Sequence, residues 1–210
     1  MESPTDSVQR LRVRVFVDFW NFSISLRNVD DSFRTRWEPI GYALAREAAK
    51  VVDLKAKFSF EGVHVYGSYD PNGNNDHAFK SWFTNVLDKM PGVHANLRPR
   101  QKIRSAPKCP SCKFAVEKCS SCGEDMRGTQ EKGVDTAIVT DMIKLAWVDA
   151  YDVAVIVSAD KDFVPVAEFL QTRGLKVIHA AFPPKGSQLS QKCWASFNVT
   201  SIMDEFRKHT

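Results

Sequence analysis

Four aspartates stand where a predicted strand ends or a predicted helix begins. Asp18 ends an alternating apolar run, and Asp160 and Asp162 directly follow a continuous one, whereas Asp135 lies at the start of an amphipathic segment. Each could simply cap a turn or a helix, because aspartate is favoured at both. Four carboxylates at one sheet edge would repel one another unless a cation lay between them. Such oxygen ligands suit Mg²⁺ or Mn²⁺, ions that activate water and neutralise the charge developing on a phosphodiester.

Strands and helices alternate along the chain, and they must bring these aspartates together. Apolar periodicity predicts strands at 12–17, 63–68, 93–97, 153–157 and 175–181, and helices at 39–52, 79–90, 134–148 and 162–173. A polar loop is predicted at 70–76. This alternation indicates an α/β fold of Rossmann-like type, with a mostly parallel sheet and helices on both faces. Ligands then bind outside the carboxyl ends of the strands, near the point where strand order reverses.

The composition is that of a globular protein. The 210 residues suit one domain with an insertion, and 43% apolar and 26% charged residues exclude a disordered or fibrous chain. A net charge of +4 is too small to identify a partner. No run of 18 apolar residues and no signal-peptide pattern is present, so we expect a cytoplasmic protein without a membrane span. Residues 1–10 are predicted to form a flexible tail.

Two other kinds of chemistry lack their usual motifs. Neither the dinucleotide-binding glycine pattern nor the Lys-Ser/Thr phosphate loop occurs, which argues against redox chemistry with a dinucleotide. No serine sits in a nucleophile elbow, and Cys193 has no obvious local base. Covalent catalysis therefore has no support.

Residues 98–132 interrupt the apolar pattern and are predicted to be an insertion into a core formed by 11–97 and 133–186. A helical segment at 187–210 follows the core. Two Cys-x-x-Cys pairs lie in the insertion, at Cys109, Cys112, Cys119 and Cys122. Four thiolates predict one closed, structural Zn²⁺ per chain, and the alternative is a disulfide pair or idle thiols. A stretch this short and polar cannot bury a core, so metal binding should fold it.

Basic residues alternate just before the cysteines. In an extended chain they would share one side, where they could follow a nucleic-acid backbone or simply form a solvated strand face. The candidate nucleic-acid-binding residues are Arg98, Arg100, Lys102, Arg104 and Lys132. Phe19, Trp20 and Phe22 could stack on bases, although at least two of them are expected to pack in the core.

Three motifs resemble those of NYN domains, which belong to the PIN-like nuclease superfamily, and the LabA-like branch is the most similar. The motifs are Val17-Asp18-Phe19-Trp20-Asn21, Lys132-Gly133-Val134-Asp135 and Ser158-Ala159-Asp160-Lys161-Asp162-Phe163. Their order and spacing agree, and the resemblance covers roughly 12–182. One departure is Ala159, where relatives often have glycine.

The resemblance implies a Rossmann-like core and a metal-dependent ribonuclease site. Asp18, Asp135, Asp160 and Asp162 would hold the metal, while Asn21 and Ser158 would orient ligands or substrate. The family pattern also tends to place an acid at Asp141. Asp141 lies six residues after Asp135, about 240° around the helix, and so on a different face. It is either a fifth ligand, an acid that supports the ligands, or a half-buried polar residue.

The sequence thus predicts an endoribonuclease that hydrolyses RNA with Mg²⁺ or Mn²⁺. One alternative is an RNA- or protein-binding regulator that has lost turnover. Clustered carboxylates count against it, because they repel phosphate. Another is a phosphatase or DNA nuclease that uses the same metals.

Overall fold

The computed structural model describes residues 10–73 and 76–208. The predicted tail lies outside them except for Arg10, as do residues 74–75 of the predicted loop and the last two residues of the C-terminal segment. Six strands form the main sheet, all paired in parallel. They are β1 (Leu11–Asp18), β2 (Phe58–Tyr69), β3 (Val93–Pro99), β6 (Val153–Val157), β7 (Lys176–Ala181) and β8 (Ala195–Asn198). The short strands β4 (Gln101–Lys102) and β5 (Thr129–Gln130) form a separate antiparallel pair.

The strand order in the main sheet is β3-β2-β1-β6-β7-β8. The chain moves outward from β1 to β3 and then returns to place β6 against the other side of β1. Strand order therefore reverses between β1 and β6, which is where Rossmann-like sheets bind their ligands. The predicted α/β fold with a parallel sheet is confirmed.

Helices cover both faces of the sheet. They are α1 (Phe19–Val29), α2 (Ile40–Val52), α3 (Asp76–Asn85), α4 (Val134–Trp147), α5 (Val164–Thr172) and α6 (Ser187–Lys192). Side chains alternate along β1, so Val15 packs in one core with α2, and Phe16 packs in the other with α4 and α5. No helix among the described residues is long and apolar enough to span a membrane.

Two elements differ from the sequence prediction. The turn expected after Asp18 is the first turn of α1, because the Asp18 side chain caps that helix. The C-terminal segment is not helical throughout: α6 ends at Lys192, and β8 then pairs with β7. Leu189, Cys193 and Phe197 are spaced four residues apart, which imitates a helical stripe across this boundary.

Smaller differences concern boundaries. β2 begins at Phe58 rather than at Val63, and its register with β1 shifts between Val13 and Arg14. Pro39 stands just before α2 instead of at its first position. The predicted helix at 79–90 ends at Asn85 and is followed by a separate helical turn at Leu87–Lys89.

Candidate active site

Asp18 is the last residue of β1 and caps α1. Its Oδ1 accepts a hydrogen bond from the backbone N–H of Asn21 at 3.1 Å. The side chain is nearly enclosed, since Asp18 is only 7% exposed. A carboxylate is thus held at the carboxyl end of a central strand, beside the reversal of strand order.

The neighbouring end of β6 contributes the next groups. The Ser158 hydroxyl donates to Asp18 Oδ2 at 3.2 Å, and the backbone N–H of Ala159 donates to Asn21 Oδ1 at 3.0 Å. Both contacts join residues about 140 positions apart in the chain. Ser158 and Asn21 therefore fix the turn after β6 against the start of α1.

Asp160 and Asp162 lie in that turn. The backbone N–H of Asp160 donates to Ser158 Oγ at 3.2 Å, and the N–H of Asp162 donates to Asp160 Oδ1 at 2.9 Å. Asp160 is half-buried and Asp162 is exposed. Asp160 caps a short helical turn at Lys161–Phe163, so it has the capping role that aspartate commonly has at such a position.

A buried histidine supports the same turn from behind. His179 on β7 is 1% exposed, and its Nε2 lies 2.7 Å from the Ser158 carbonyl oxygen. Since a carbonyl can only accept, Nε2 carries the proton, and Nδ1 accepts from the Ser190 hydroxyl at 2.7 Å. Burial lowers the pKa of His179 and keeps it neutral at pH 7. Gly186 fits tightly here, because a Cβ at that position would lie 2.8 Å from His179 Cε1.

Asp135 approaches from the first turn of α4. The helix is preceded by Gly133, whose φ of +80° is the left-handed conformation that glycine accepts without strain. The Arg98 guanidinium lies against this glycine, and a Cβ there would come within 3.3 Å of Arg98 Nη1. The turn thus directs the chain from the insertion into the helix that carries Asp135.

The carboxylates influence one another electrostatically. Burial is the main cause that raises the pKa of Asp18 to about 6, and the charges of Glu131 and Asp135 add to it. Desolvation by neighbouring groups likewise raises the pKa of the exposed Asp135, with help from the charges of Asp160, Glu131 and Asp162. Four predicted aspartates and one unpredicted glutamate therefore form a single electrostatic cluster. The signal for Glu131 was its place in the same Glu-Lys-Gly-Val-Asp segment as Asp135.

No lysine or arginine in the described part of the chain forms an ion pair with any of these five carboxylates. Elsewhere acidic residues are commonly paired, as Asp152 is with Arg12 at 2.7 Å. The five carboxylates of the site supply oxygen ligands, which Mg²⁺ and Mn²⁺ prefer. Within residues 10–73 and 76–208, however, no three His, Cys, Asp or Glu side chains have converged closely enough to hold an ion as they stand.

Asp141 has a different environment from the cluster. It is half-buried on α4, and its Oδ2 accepts a hydrogen bond from the buried Tyr66 hydroxyl at 2.9 Å. Asp141 is not among the residues whose charges raise the pKa of Asp135. This placement favours the interpretation of Asp141 as a hydrogen-bonded polar residue that supports the packing of α4 on the sheet.

The five candidate nucleic-acid-binding residues have unlike surroundings. Arg100 is half-buried, donates from Nε to Ser68 Oγ at 3.1 Å, and lies 5.6 Å from the ring centre of Trp20. Lys102 pairs with Asp125 at 3.3 Å. The other three, Arg98, Arg104 and Lys132, are exposed. The chain leaves the main sheet near Arg100, so the alternating cations do not continue along one strand.

The three aromatic residues near Asp18 divide as expected. Phe19 and Phe22 are buried in the core, at 8% and 1% exposure. Trp20 is half-buried and donates from Nε1 to the Ser68 carbonyl at 2.7 Å. Trp20 is therefore the one of the three whose ring is partly exposed and lies beside Arg100.

The two cysteine pairs of the insertion form matching turns. Cys109 N–H donates to Phe114 O at 2.8 Å, and Cys119 N–H donates to Glu124 O at the same distance. In the first turn, the backbone amides of Cys112 and Ser111 point to the Cys109 sulfur and lower its pKa; the second turn repeats this at Cys119. Lys113 and Gly123, at matching positions of the two turns, both have a positive φ, at 63° and 76°. Each turn is thus shaped to present thiolates. Among the described residues, however, the two cysteine pairs do not lie together as one group of ligands.

Together, the strand order and the carboxylate cluster at its reversal define a Rossmann-like α/β protein with an acidic site. A family model for the NYN domain matches residues 12–198, so the chain belongs to the NYN domain family. That family lies in the PIN-like nuclease superfamily, and NYN domains are generally nucleases. The match starts within β1 and ends at the last residue of β8.

Solved structures add a likeness of fold. A protein of unknown function from Vibrio parahaemolyticus aligns with a TM-score of 0.55 at 18% identity, covering 99% of this chain and 100% of that one. A Sir2 homologue bound to NAD reaches a TM-score of only 0.34 at 15% identity, covering 92% of this chain and 87% of that one, too low to indicate a shared fold. No curated protein is similar enough to count as a match.

Proposed function

We propose that this protein is a metal-dependent endoribonuclease of the LabA-like branch of NYN domains. The observation that carries the proposal is the cluster of Asp18, Asp135, Asp160 and Asp162 at the reversal of strand order, with no ion pair to a described lysine or arginine. Such unpaired charge is costly unless a ligand neutralises it. Membership of a nuclease family makes a divalent cation the fitting ligand.

The four aspartates would hold Mg²⁺ or Mn²⁺, which supplies an activated water and neutralises charge on the phosphodiester. Asp18 and Asp160 each accept a hydrogen bond from a backbone amide at Oδ1, which fixes the side chain, and Asp18 Oδ2 also accepts from the Ser158 hydroxyl. In the proposed complex these carboxylates would converge on the ion. Asn21 and Ser158 keep the ends of β1 and β6 together while this happens.

RNA is the proposed substrate. Arg100 contacts Ser68 at the carboxyl end of β2 and lies over the half-buried ring of Trp20, where a phosphate and a base would be contacted together. Arg98, Lys102, Arg104 and Lys132 would add charge along the base of the insertion. Because Lys102 is already paired with Asp125, its contribution to RNA binding should be smaller than that of Arg100.

The insertion is proposed to bind one structural Zn²⁺ through Cys109, Cys112, Cys119 and Cys122. Both turns already direct backbone amides to the first sulfur of each pair, which favours thiolates. No residue of 98–132 belongs to either hydrophobic core, so the segment needs another source of stability. Four sulfur ligands would leave no open position for water, and this ion would not take part in hydrolysis.

The direct test is digestion of a labelled single-stranded RNA with Mn²⁺, with Mg²⁺ and with EDTA. We expect cleavage with either metal, none with EDTA, and a loss of at least about 100-fold in Asp160→Asn, because a full negative charge at the cation is removed. Asp31→Asn is the matched control: it makes the same charge change on an exposed loop after α1 and should cleave like the wild type.

The remaining functions are separate outcomes of the same test. Binding of RNA without cleavage under every metal condition would identify a regulatory module. Faster cleavage of DNA of the same sequence would identify a DNA nuclease, and release of phosphate from an end-labelled oligonucleotide would identify a phosphatase. Each of these results would contradict the ribonuclease proposal.

A further inference from the structure

A groove lies beside the acidic cluster, on the side of the sheet where β7 ends. It has a volume of about 610 Å³ and is bounded by the start of α5 and by one face of α6. Asp162 of the cluster lines it, so the groove adjoins the candidate active site. Ligand sites commonly have volumes of roughly 300 to 1,000 Å³, and parallel sheets bind their ligands at this end of the strands. The groove thus has the size and position of a place for part of a substrate.

The two walls of the groove are fixed against each other. Leu189 of α6 is buried in the same core as α4 and α5. Gln171 of α5 donates from Nε2 to the backbone carbonyl of Lys192 at 2.9 Å, and Lys192 Nζ lies 3.1 Å from a carboxylate oxygen of Glu168. These contacts join the end of α6 to α5, so the groove is a feature of the packed fold.

The lining of the groove combines three kinds of surface. Val164 and Pro165 supply apolar surface against which a planar ring can pack. Gln188 and Gln191 are three residues apart on α6, so their exposed amides share one face, and an amide both donates and accepts hydrogen bonds. Lys161 is exposed and forms no ion pair with an acidic residue of the described chain. Apolar surface, amides and a cation together match the ring, the polar edge and the phosphate of a nucleotide.

The order of the strands places this groove opposite Arg100. Arg100 donates to Ser68 at the end of β2, Asp18 ends β1, Asp160 follows β6, and the groove follows β7. These four strands are neighbours in the sheet in that order. Neighbouring strands lie about 4.8 Å apart, so the ends of β2 and β7 are separated by roughly 14 Å. A single strand of RNA that crosses the carboxylates from Arg100 therefore reaches the groove within a few nucleotides.

We propose that this groove is a subsite for single-stranded RNA and holds a nucleotide that flanks the scissile phosphodiester. The inference rests on the proposed function, because it concerns the same RNA. The base packs on Val164 and Pro165, the amides of Gln188 and Gln191 contact its edge, and Lys161 faces a phosphate. The RNA is then held on both sides of the cation, by Arg100 and Trp20 at one end and by α6 at the other.

The first test is RNA affinity without added Mg²⁺ or Mn²⁺, so that the RNA stays intact. The probe is a fluorescent oligouridine of about 12 nucleotides, within the range of lengths that single-strand sites cover. Replacing both Gln188 and Gln191 by alanine should keep α6 intact, because alanine is a good helix former. We expect affinity to fall by at least about 5-fold, as for the loss of one base contact. Asn85→Ala removes an exposed amide at the end of α3 and is the matched control.

The second test locates the RNA directly. An oligouridine that contains thiouridine is bound to the wild type and irradiated, and the cross-linked peptides are identified by mass spectrometry. We expect cross-links within Ser187–Lys192 as well as near Trp20. Equal RNA affinity in the double variant and in Asn85→Ala, or cross-links that spare α6, would overturn the inference.

The fate of the proposed function is read separately, from cleavage with Mn²⁺. If the inference fails but the wild type still cleaves RNA, the proposed function stands alone. A wild type that cross-links to α6 but cleaves RNA with no metal would support the groove and contradict the ribonuclease. A wild type that binds no RNA would overturn both.

Discussion

Asn21, in the first turn of α1, accepts a hydrogen bond from the backbone N–H of Ala159, the second residue after β6, at 3.0 Å. The same asparagine donates its own backbone N–H to the Asp18 carboxylate at 3.1 Å. One residue thus aligns a helix start, the end of β1 and the turn that carries Asp160. The relative position of the first and third acidic motifs depends on it.

Replacing Asn21 by alanine should misplace that turn. Loss of the acceptor for the Ala159 N–H should lower the free energy of unfolding by about 1 kcal/mol. The shift of Asp160 relative to Asp18 should reduce RNA cleavage by about 10- to 100-fold. Asn28→Ala, at an exposed position near the end of the same helix, is the control and should change neither quantity. Normal cleavage by Asn21→Ala would show that this contact does not position the site.

Gly186 offers a second test of how the turn is supported. Its φ is +73°, and a Cβ there would approach Ala159 Cα at 3.1 Å as well as His179. Gly174 has a similar φ of +83° but nothing within 4 Å of such a Cβ. Gly174→Ala should therefore cost about 1 kcal/mol of stability, from backbone conformation alone.

Gly186→Ala should cost that amount and about 1 to 3 kcal/mol more, because Ala159 and His179 must move. Cleavage of RNA should fall in Gly186→Ala and stay normal in Gly174→Ala, with stability measured by urea unfolding. Equal stabilities in the two variants would mean that the loop at 183–186 is free to shift away from the turn.

Local patterns in the sequence were enough to predict much of the sheet and the three acidic motifs. Alternating or continuous apolar runs marked β1, β6 and β7, and the rule for parallel sheets placed Asp18 and Asp160 at one edge. What local patterns lack is pairing information. β8 was hidden because Cys193 and Phe197 continue a helical spacing, and α1 was hidden because its start depends on the Asp18 cap.

The supporting groups of the site could not be read from sequence for the same reason. His179 looks like one more residue of an apolar strand, and its contact with the Ser158 carbonyl spans 21 positions. Ser68 and Glu131 meet across 63 positions, with most of the insertion between them. Only the packed fold makes these residues neighbours.

The cysteine turns lead to a prediction about metal content. Purified protein should carry about one Zn²⁺ per chain, and Cys112→Ser or Cys122→Ser should lose it. The core should keep its thermal transition, because the insertion contributes to neither hydrophobic core. Cys193→Ala, outside the insertion, is the control and should retain its zinc by elemental analysis. A disulfide among the four cysteines in freshly purified protein would contradict this assignment.

His64 should make stability depend on pH. Its Nε2 lies 2.9 Å from Arg14 Nη1, and burial, followed by the charges of His94 and Arg14, lowers the pKa of His64 to about 3. The unfolded chain takes up a proton near pH 6.5, whereas the folded chain does not. This contribution to stability is therefore full above pH 6.5 and is lost as pH falls toward 3, at up to about 1.4 kcal/mol per pH unit.

His64→Gln should flatten that part of the profile, because glutamine can still accept from Arg14 but does not titrate. His77→Gln, at an exposed position of α3, should leave the profile unchanged. The comparison uses urea midpoints at pH 7.5, 6.0 and 5.0. The wild type and both variants have the same carboxylates, so the contribution of these groups to the pH dependence cancels. A wild-type profile as flat as that of His64→Gln would show that His64 takes up its proton at the same pH in the folded and the unfolded chain.

The most direct measurement of the central claim is the anomalous diffraction of crystals soaked in Mn²⁺. The account predicts a manganese peak within about 2 to 2.5 Å of carboxylate oxygens from Asp18, Asp135 and Asp160. The peak should be absent from Asp160→Asn crystals treated in the same way. Saturating Mn²⁺ that leaves no peak at the carboxyl ends of β1 and β6 in the wild type would contradict the account.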